Sequence, residues 1–157
     1  MRAWPGALLF ILVCQGAGIL GALSTQTASS AWYATLELPS FQPPGWLFGP
    51  VWTLLYTLMG LAAWRVWRRG MATPGVRSAL VLFVVQLLLN ASWSPVFFGA
   101  HRIDWALAII AALWAVLVAT IVAFWRVDRP AAWMLVPYLA WVSFATALNA
   151  TILSLNG

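Results

Sequence analysis

The chain has 157 residues, 64% of them hydrophobic and 7% charged, and its formal charge of +5 comes from eight arginines, no lysine and the acids Glu37, Asp104 and Asp128. A soluble domain carries roughly 25% charged residues because its surface must be largely polar, so a water-soluble fold is excluded. Nor does the basic balance point to nucleic acid, since the arginines fall between apolar runs instead of clustering on one folded surface.

A helix needs about 20 mostly apolar residues to cross a hydrocarbon core ~30 Å thick, and five segments qualify. They must be helices: lipid cannot satisfy exposed backbone polar groups, and the alternating pattern of a membrane strand is absent. The expected fold class is all-α, a single five-transmembrane-helix bundle over residues 1–157 with a long loop between helices one and two acting as a lid.

The first segment is Trp4–Leu23. A secretory signal peptide is the alternative, but the apolar stretch continues past Gly21 to Leu23. Cys14 has no internal disulfide partner, and Val13 precedes it where a lipid-attachment site needs a small residue. Gly16, Gly18 and Gly21 satisfy G-x-G-x-x-G, yet no strand precedes them. Close helix packing fits them better, as it does Ala111, Ala115 and Ala119 further on.

The connection Ser24–Gly45 is longer than the roughly 12–15 residues usual in a compact fold. Disordered linkers are poor in aromatics, whereas this loop holds Trp32, Tyr33 and Phe41 among stiff prolines. It reads as a lid across one end of the bundle, with an aromatic belt at the headgroups as the alternative.

The second segment is Trp46–Trp67, with Trp52, Tyr56 and Met59 on one face at i, i+4 and i+7. After the break Gly70–Gly75 comes Ser78–Phe98, which places Gln86, Asn90, Trp93, Ser94 and Phe97 on one face. Polar groups at membrane depth face the bundle interior or a cavity. His101, in the next short loop, reads as a solvated residue in preference to an axial iron ligand. The fourth segment is Trp105–Trp125. The fifth, Ala131–Leu155, carries Tyr138, Trp141, Ala145 and Leu148 on one stripe, with Pro137 expected to bend it. Trp4, Trp64, Trp67, Trp105, Trp125 and Trp133 lie near helix ends and read as interfacial anchors. Short connections predict that sequential helices are antiparallel neighbours.

Five crossings put Arg2, Arg65, Arg68, Arg69, Arg77, Arg126 and Arg129 on one side and only Arg102 on the other. The positive-inside rule makes that first side, with the N-terminus, cytoplasmic. A bacterial inner membrane is favoured, with an outer membrane as the alternative. The three aromatic stripes have two readings: walls of a small-molecule pocket with a few placed polar groups, or ordinary packing with Gln86, Asn90 and Ser94 as interhelical glue.

Three stretches carry a resemblance. The first is Trp32-Tyr33, Leu36, Pro39, Phe41, Pro43-Pro44, Phe48, Trp52 and Leu55-Tyr56. The second is Gln86, Asn90 and Trp93 through Gly99. The third is Val136 through Leu139, Trp141, Phe144-Ala145-Thr146 and Leu148-Asn149. In this order and spacing they resemble the TspO/MBR family of tryptophan-rich sensory proteins, translocator proteins and peripheral-type benzodiazepine receptors, over nearly the whole chain. The resemblance implies a five-helix bundle, often a homodimer, whose pocket is closed by the first loop. It implies binding of porphyrins such as protoporphyrin IX or heme and of isoquinoline or benzodiazepine-type ligands, with cholesterol for animal members, and no required cofactor. Carried over by position, Tyr33, Pro43, Trp52, Asn90, Trp93, Trp141, Ala145 and Leu148 line the pocket, and Tyr56, Ser94, Tyr138 and Phe144 of the same motifs join them. Two departures matter. Leu38 stands where the family has Lys, and the fifth helix ends without the Tyr and Arg of the animal sterol motif, so porphyrin is favoured over sterol.

No hydrolytic or metal constellation is visible in the sequence, because the three acids are dispersed and His101 is the sole histidine. Light-dependent porphyrin breakdown, reported for bacterial relatives, is the one chemical reading left, with Trp52 and Trp141 as candidates. The expected function is a membrane receptor or sensor for tetrapyrroles, with membrane lipid as surroundings and no nucleic-acid partner. The alternatives are a transporter of porphyrins or sterols, against which the lack of an internal repeat counts, and a structural partner in a larger complex.

Overall fold

The structure is a computed structural model that describes residues 4–28, 35–43 and 45–156. Among the described residues there are five α-helices: α1 (Trp4–Ala28), α2 (Phe48–Trp67), α3 (Val76–Ser94), α4 (Ile103–Val127) and α5 (Arg129–Asn156). A 3-10 turn, Gly45–Leu47, leads into α2, and a π turn, Pro95–Gly99, extends α3. No strand occurs among the described residues. The fold is the all-helical bundle expected.

Local chemistry sets several of the ends. Pro50 falls in the first turn of α2, where a missing N–H costs nothing. The α2–α3 turn relies on Gly70 at φ +96° and Gly75 at φ +90°, a region that side chains disfavour. At Pro95 the ring cannot continue the ladder of α3. The backbone opens into wider bonds, with Ala100 N–H donating to Pro95 O at 2.9 Å. α5 remains helical through Pro137. α1 runs on to Ala28, so Ser24–Ala28 is helix and not loop.

The helices close a ring in the spatial order α1–α2–α5–α4–α3. The expectation that sequential helices are neighbours therefore fails at one place: α2 and α3 touch little, because α1 packs between them. Gly60 lets α1 and α2 approach closely. A Cβ added there would lie 2.5 Å from the Ile11 Cα, so the α1 and α2 backbones are nearly in contact. Gly18 likewise faces the Tyr56 ring, whereas Gly16 has nothing within 4 Å and serves no packing. Ala111, Ala115 and Ala119 also depart from expectation, being exposed on the outer face of α4.

Inside the ring, Met59, Leu113, Leu117, Leu135, Tyr138 and Val142 are fully buried, and Phe83 stacks on Phe124 at 6.0 Å. Outside it, Leu8, Leu12, Leu54, Val81, Leu88 and Val122 are exposed. In water such a surface would cost about 25 cal/mol per Å², and in hydrocarbon the penalty disappears. α3 with its π turn, α4 and α5 are each long and apolar enough to cross a membrane. α1 contributes a shorter apolar stretch, Pro5–Leu20, and α2 is diluted by Trp52, Thr53, Tyr56, Thr57 and Arg65. Trp67, Trp105, Trp125 and Trp133 are exposed at helix ends as anchors should be, but Trp64 is buried, with the Arg68 guanidinium 4.7 Å from its ring centre.

Candidate functional site

The interior polar groups of α2, α3 and α5 meet in one hydrogen-bonded chain. The Tyr56 hydroxyl donates to Asn90 Oδ1 at 2.5 Å, and Asn90 Nδ2 donates to the Tyr138 hydroxyl at 2.7 Å. Tyr138 in turn donates to Gln86 Oε1 at 2.7 Å, and Gln86 Nε2 faces Met59 Sδ at 4.0 Å. Each member is buried. The helical spacing of 86 and 90, one turn apart, brings both amides to the same hydroxyl. In a setting without water these groups satisfy one another, at a net gain of about 0.6 kcal/mol per interhelical bond. The amides are thus engaged between helices, which is the glue arrangement.

An aromatic ladder leads from this chain to the loop. Trp52 stacks on Tyr56, with ring centres 5.4 Å apart, and meets Trp141 edge-on at 6.2 Å. Trp141 lies 5.6 Å from Phe144, and Phe144 lies 6.1 Å from Phe41 of the loop. The rungs Trp52, Trp141 and Phe144 are half-buried. Offset and edge contacts of this kind suit the quadrupole of each ring.

Trp93 and Leu148 fall into a neighbouring cluster with Phe97, Phe98, Ile103 and Ile152. Trp93 Nε1 donates to Asn149 Oδ1 at 2.9 Å, and Asn149 Nδ2 donates to Ile103 O at 3.1 Å. Ala145 packs against the main core, while Ser94 in α3 and Pro43 in the loop are half-buried. Tyr33 lies outside the described residues. Of the residues expected at the site, the structure brings Trp52, Tyr56, Asn90, Tyr138, Trp141 and Phe144 together, and Trp93 with Leu148 beside them.

Loop residues 35–43 lie over the end of the bundle formed by α5 and the α3–α4 junction. Leu36 packs against the cluster around Phe97. Glu37 N–H donates to Asn156 Oδ1, and Asn156 Nδ2 donates to Glu37 O, both at 2.9 Å. Sequence reasoning missed Asn156, Asn149 and Phe41 as site-forming residues. Phe41 and Asn149 stood within the motifs, but nothing in the sequence signalled the partner of Asn156.

The opposite end is pinned by charge. The buried Asp128 carboxylate pairs with Arg65 at 2.7 Å and Arg69 at 2.6 Å, and accepts the Ala131 N–H at the start of α5. Burial pushes its carboxyl pKa up, but the hydrogen bonds and charges of the two arginines outweigh this and hold it below its ordinary value. Among the described residues no group of three or more His, Cys, Asp or Glu is placed to hold a metal ion. The ladder offers stacking faces, indoles and phenols, and no carboxylate or imidazole among its members.

The TspO/MBR family model matches residues 10–155. Tryptophan-rich protein TspO of Chlorobaculum tepidum is 47% identical over 148 residues, covering 94% of both chains. The translocator protein of Homo sapiens is 40% identical over 147 residues, covering 93% of this chain and 87% of the relative. Tryptophan-rich sensory protein of Cereibacter sphaeroides is 39% identical over 153 residues, with 98% and 92% covered. With three helices of spanning length and these relatives, the chain is an integral membrane protein.

Proposed function

The chain belongs to the TspO/MBR family, and from that premise we propose that it is a membrane receptor that binds porphyrin-type tetrapyrroles against Trp52 and Trp141, beneath the first loop. The observation that carries this reading is the ladder Phe41–Phe144–Trp141–Trp52. A flat macrocycle is held by faces and edges of flat side chains, and a mostly apolar site with few polar groups is what such a ligand needs. Isoquinoline and benzodiazepine-type ligands suit the same walls. Sterol is the weaker candidate, since the end of α5 lacks the Tyr and Arg of the animal motif. The arginine-rich end faces the cytoplasm in this reading, in a bacterial inner membrane, and the working form is a homodimer.

Titration of the detergent-solubilised protein with protoporphyrin IX, followed by porphyrin absorption, is expected to saturate and to weaken in Trp52→Ala. A response that stays linear in porphyrin would overturn the proposal. Under illumination the Trp52 or Trp141 indole would give one electron to the excited macrocycle, leaving an indole radical cation and a porphyrin radical anion, and oxidative opening of the ring would then need dissolved dioxygen as co-reactant. Replacing both tryptophans by Phe is then expected to abolish the light-dependent loss while saturable binding, severalfold weaker, persists.

The human relative's name, translocator protein, favours transport as a second reading. Porphyrin flux into liposomes that rises with reconstituted protein would support it, and flux equal to that of protein-free liposomes would leave the receptor reading alone.

A further inference from the structure

On the side of the ring away from the ladder, a groove of about 280 Å³ runs between α1 and α3. Leu9, Phe10 and Val13 line it from α1, and Leu80, Val84 and Leu87 from α3, with no polar residue among its walls. It opens on the exposed apolar surface of Leu12, Val81 and Leu88, which in a membrane faces hydrocarbon. What enters such a groove comes from the bilayer.

The head of the groove is cationic. Arg77 lies three residues before Leu80 and seven before Val84, on the same side of α3, and about 4.5 Å above Leu80 along the axis. It is exposed. Of the other described arginines at this end, Arg65 and Arg69 are committed to Asp128, Arg68 to the face of Trp64 and Arg129 to the face of Trp125, while Arg126 lies on α4, which does not line the groove. Arg77 has no ion pair among the described residues, and Asp128 is the only acid at this end among them.

We infer that the α1–α3 groove is a binding site for one anionic phospholipid, with an acyl chain along Leu80, Val84 and Leu87 and its phosphate on Arg77. The groove supplies the length and apolar lining that a chain needs. The uncommitted guanidinium at its head supplies the charge, in a fork geometry that suits phosphate.

Native mass spectrometry in detergent tests this, with dioleoylphosphatidylglycerol and dioleoylphosphatidylcholine as probes. The native chain is expected to retain phosphatidylglycerol in preference to phosphatidylcholine. Arg77→Gln should lower that retention about fivefold. Val84→Trp, which fills the exposed side of the groove, should lower retention of both lipids, and Arg102→Gln at the other end should change neither. Equal retention of the two lipids, or indifference to Arg77→Gln and Val84→Trp, overturns the inference. So does a shift from two-copy to one-copy mass in Val84→Trp, which would mean that the groove seats a second copy of the chain.

Discussion

Glu37 and Asn156 exchange two hydrogen bonds of 2.9 Å between a loop backbone and a side chain 119 residues further on. Through this pair the first loop is held to the last turn of α5, over the end of the bundle where the aromatic ladder emerges. Asn156→Ala removes both bonds while leaving Leu36 in its apolar cluster. Because the pair is exposed, the expected loss of global stability is about 1 kcal/mol or less. Amide hydrogen exchange should accelerate over residues 35–43 and stay unchanged in α4. Unaltered exchange in the loop would show that the clasp does not hold it.

Tyr138 is the hub of the interior, accepting from Asn90 and donating to Gln86. Tyr138→Phe leaves one amide donor and one amide acceptor buried without their partner, and should cost about 1–3 kcal/mol. Asn90→Ala leaves the buried Tyr56 hydroxyl without its acceptor and takes one donor from Tyr138, which keeps its bond to Gln86, and should cost a similar amount. Since both changes break the same chain, the double variant should cost less than their sum. Unfolding in a detergent titration measures this, and strict additivity would argue that the bonds act independently.

Two glycines make opposite predictions from the same residue type. Gly60→Ala would drive a methyl against the Ile11 backbone and should cost about 1–3 kcal/mol or more, because backbone cannot step aside as a flexible side chain does. Gly16→Ala meets open space within a helix and should stabilise by about 0.5–1 kcal/mol. Thermal melting of the two variants reads the difference directly.

Acid should loosen the arginine-rich end first. The folded Asp128 carboxyl is held below its ordinary pKa of 3.8. A carboxyl with a depressed folded pKa adds stability that is complete above the ordinary value and is lost as pH falls through the depressed one. Melting temperature should therefore drop over that acidic window in the native chain. Asp128→Asn should be less stable at neutral pH, by about 2 kcal/mol for its charge-assisted bonds, and should show a smaller acid drop. An equal drop in both would assign it to other groups.

Much of this was legible in the sequence because periodicity reports which residues share a face. The spacing of Trp52 with Tyr56, of Gln86 with Asn90 and of Tyr138 with Trp141 was enough to place them on inward stripes, and the stripes converge. What periodicity cannot report is the partner. Whether Asn90 bonds a tyrosine or lines a cavity depends on where α5 sits, and that depends on the ring order. Nor can periodicity report how closely two helices approach: Gly60 lets α1 and α2 nearly touch, a role visible only against Ile11. The end of α1 escaped notice for a related reason: Ser24–Ala28 is polar, and hydropathy marks depth in the bilayer, not the end of a helical backbone. The exposed Ala111, Ala115 and Ala119 carry the same lesson, since small residues permit close approach without requiring it.

The central claim, a tetrapyrrole seated on the ladder, is tested most directly by quenching of tryptophan fluorescence with protoporphyrin IX in detergent. The native chain, Trp141→Phe, Asn90→Ala and the far-end control Trp133→Phe would be titrated side by side. Saturable quenching that is severalfold weaker in Trp141→Phe and Asn90→Ala, and unchanged in Trp133→Phe, is the predicted result. Quenching that never saturates, or that is indifferent to Trp141 and Asn90, would contradict the account.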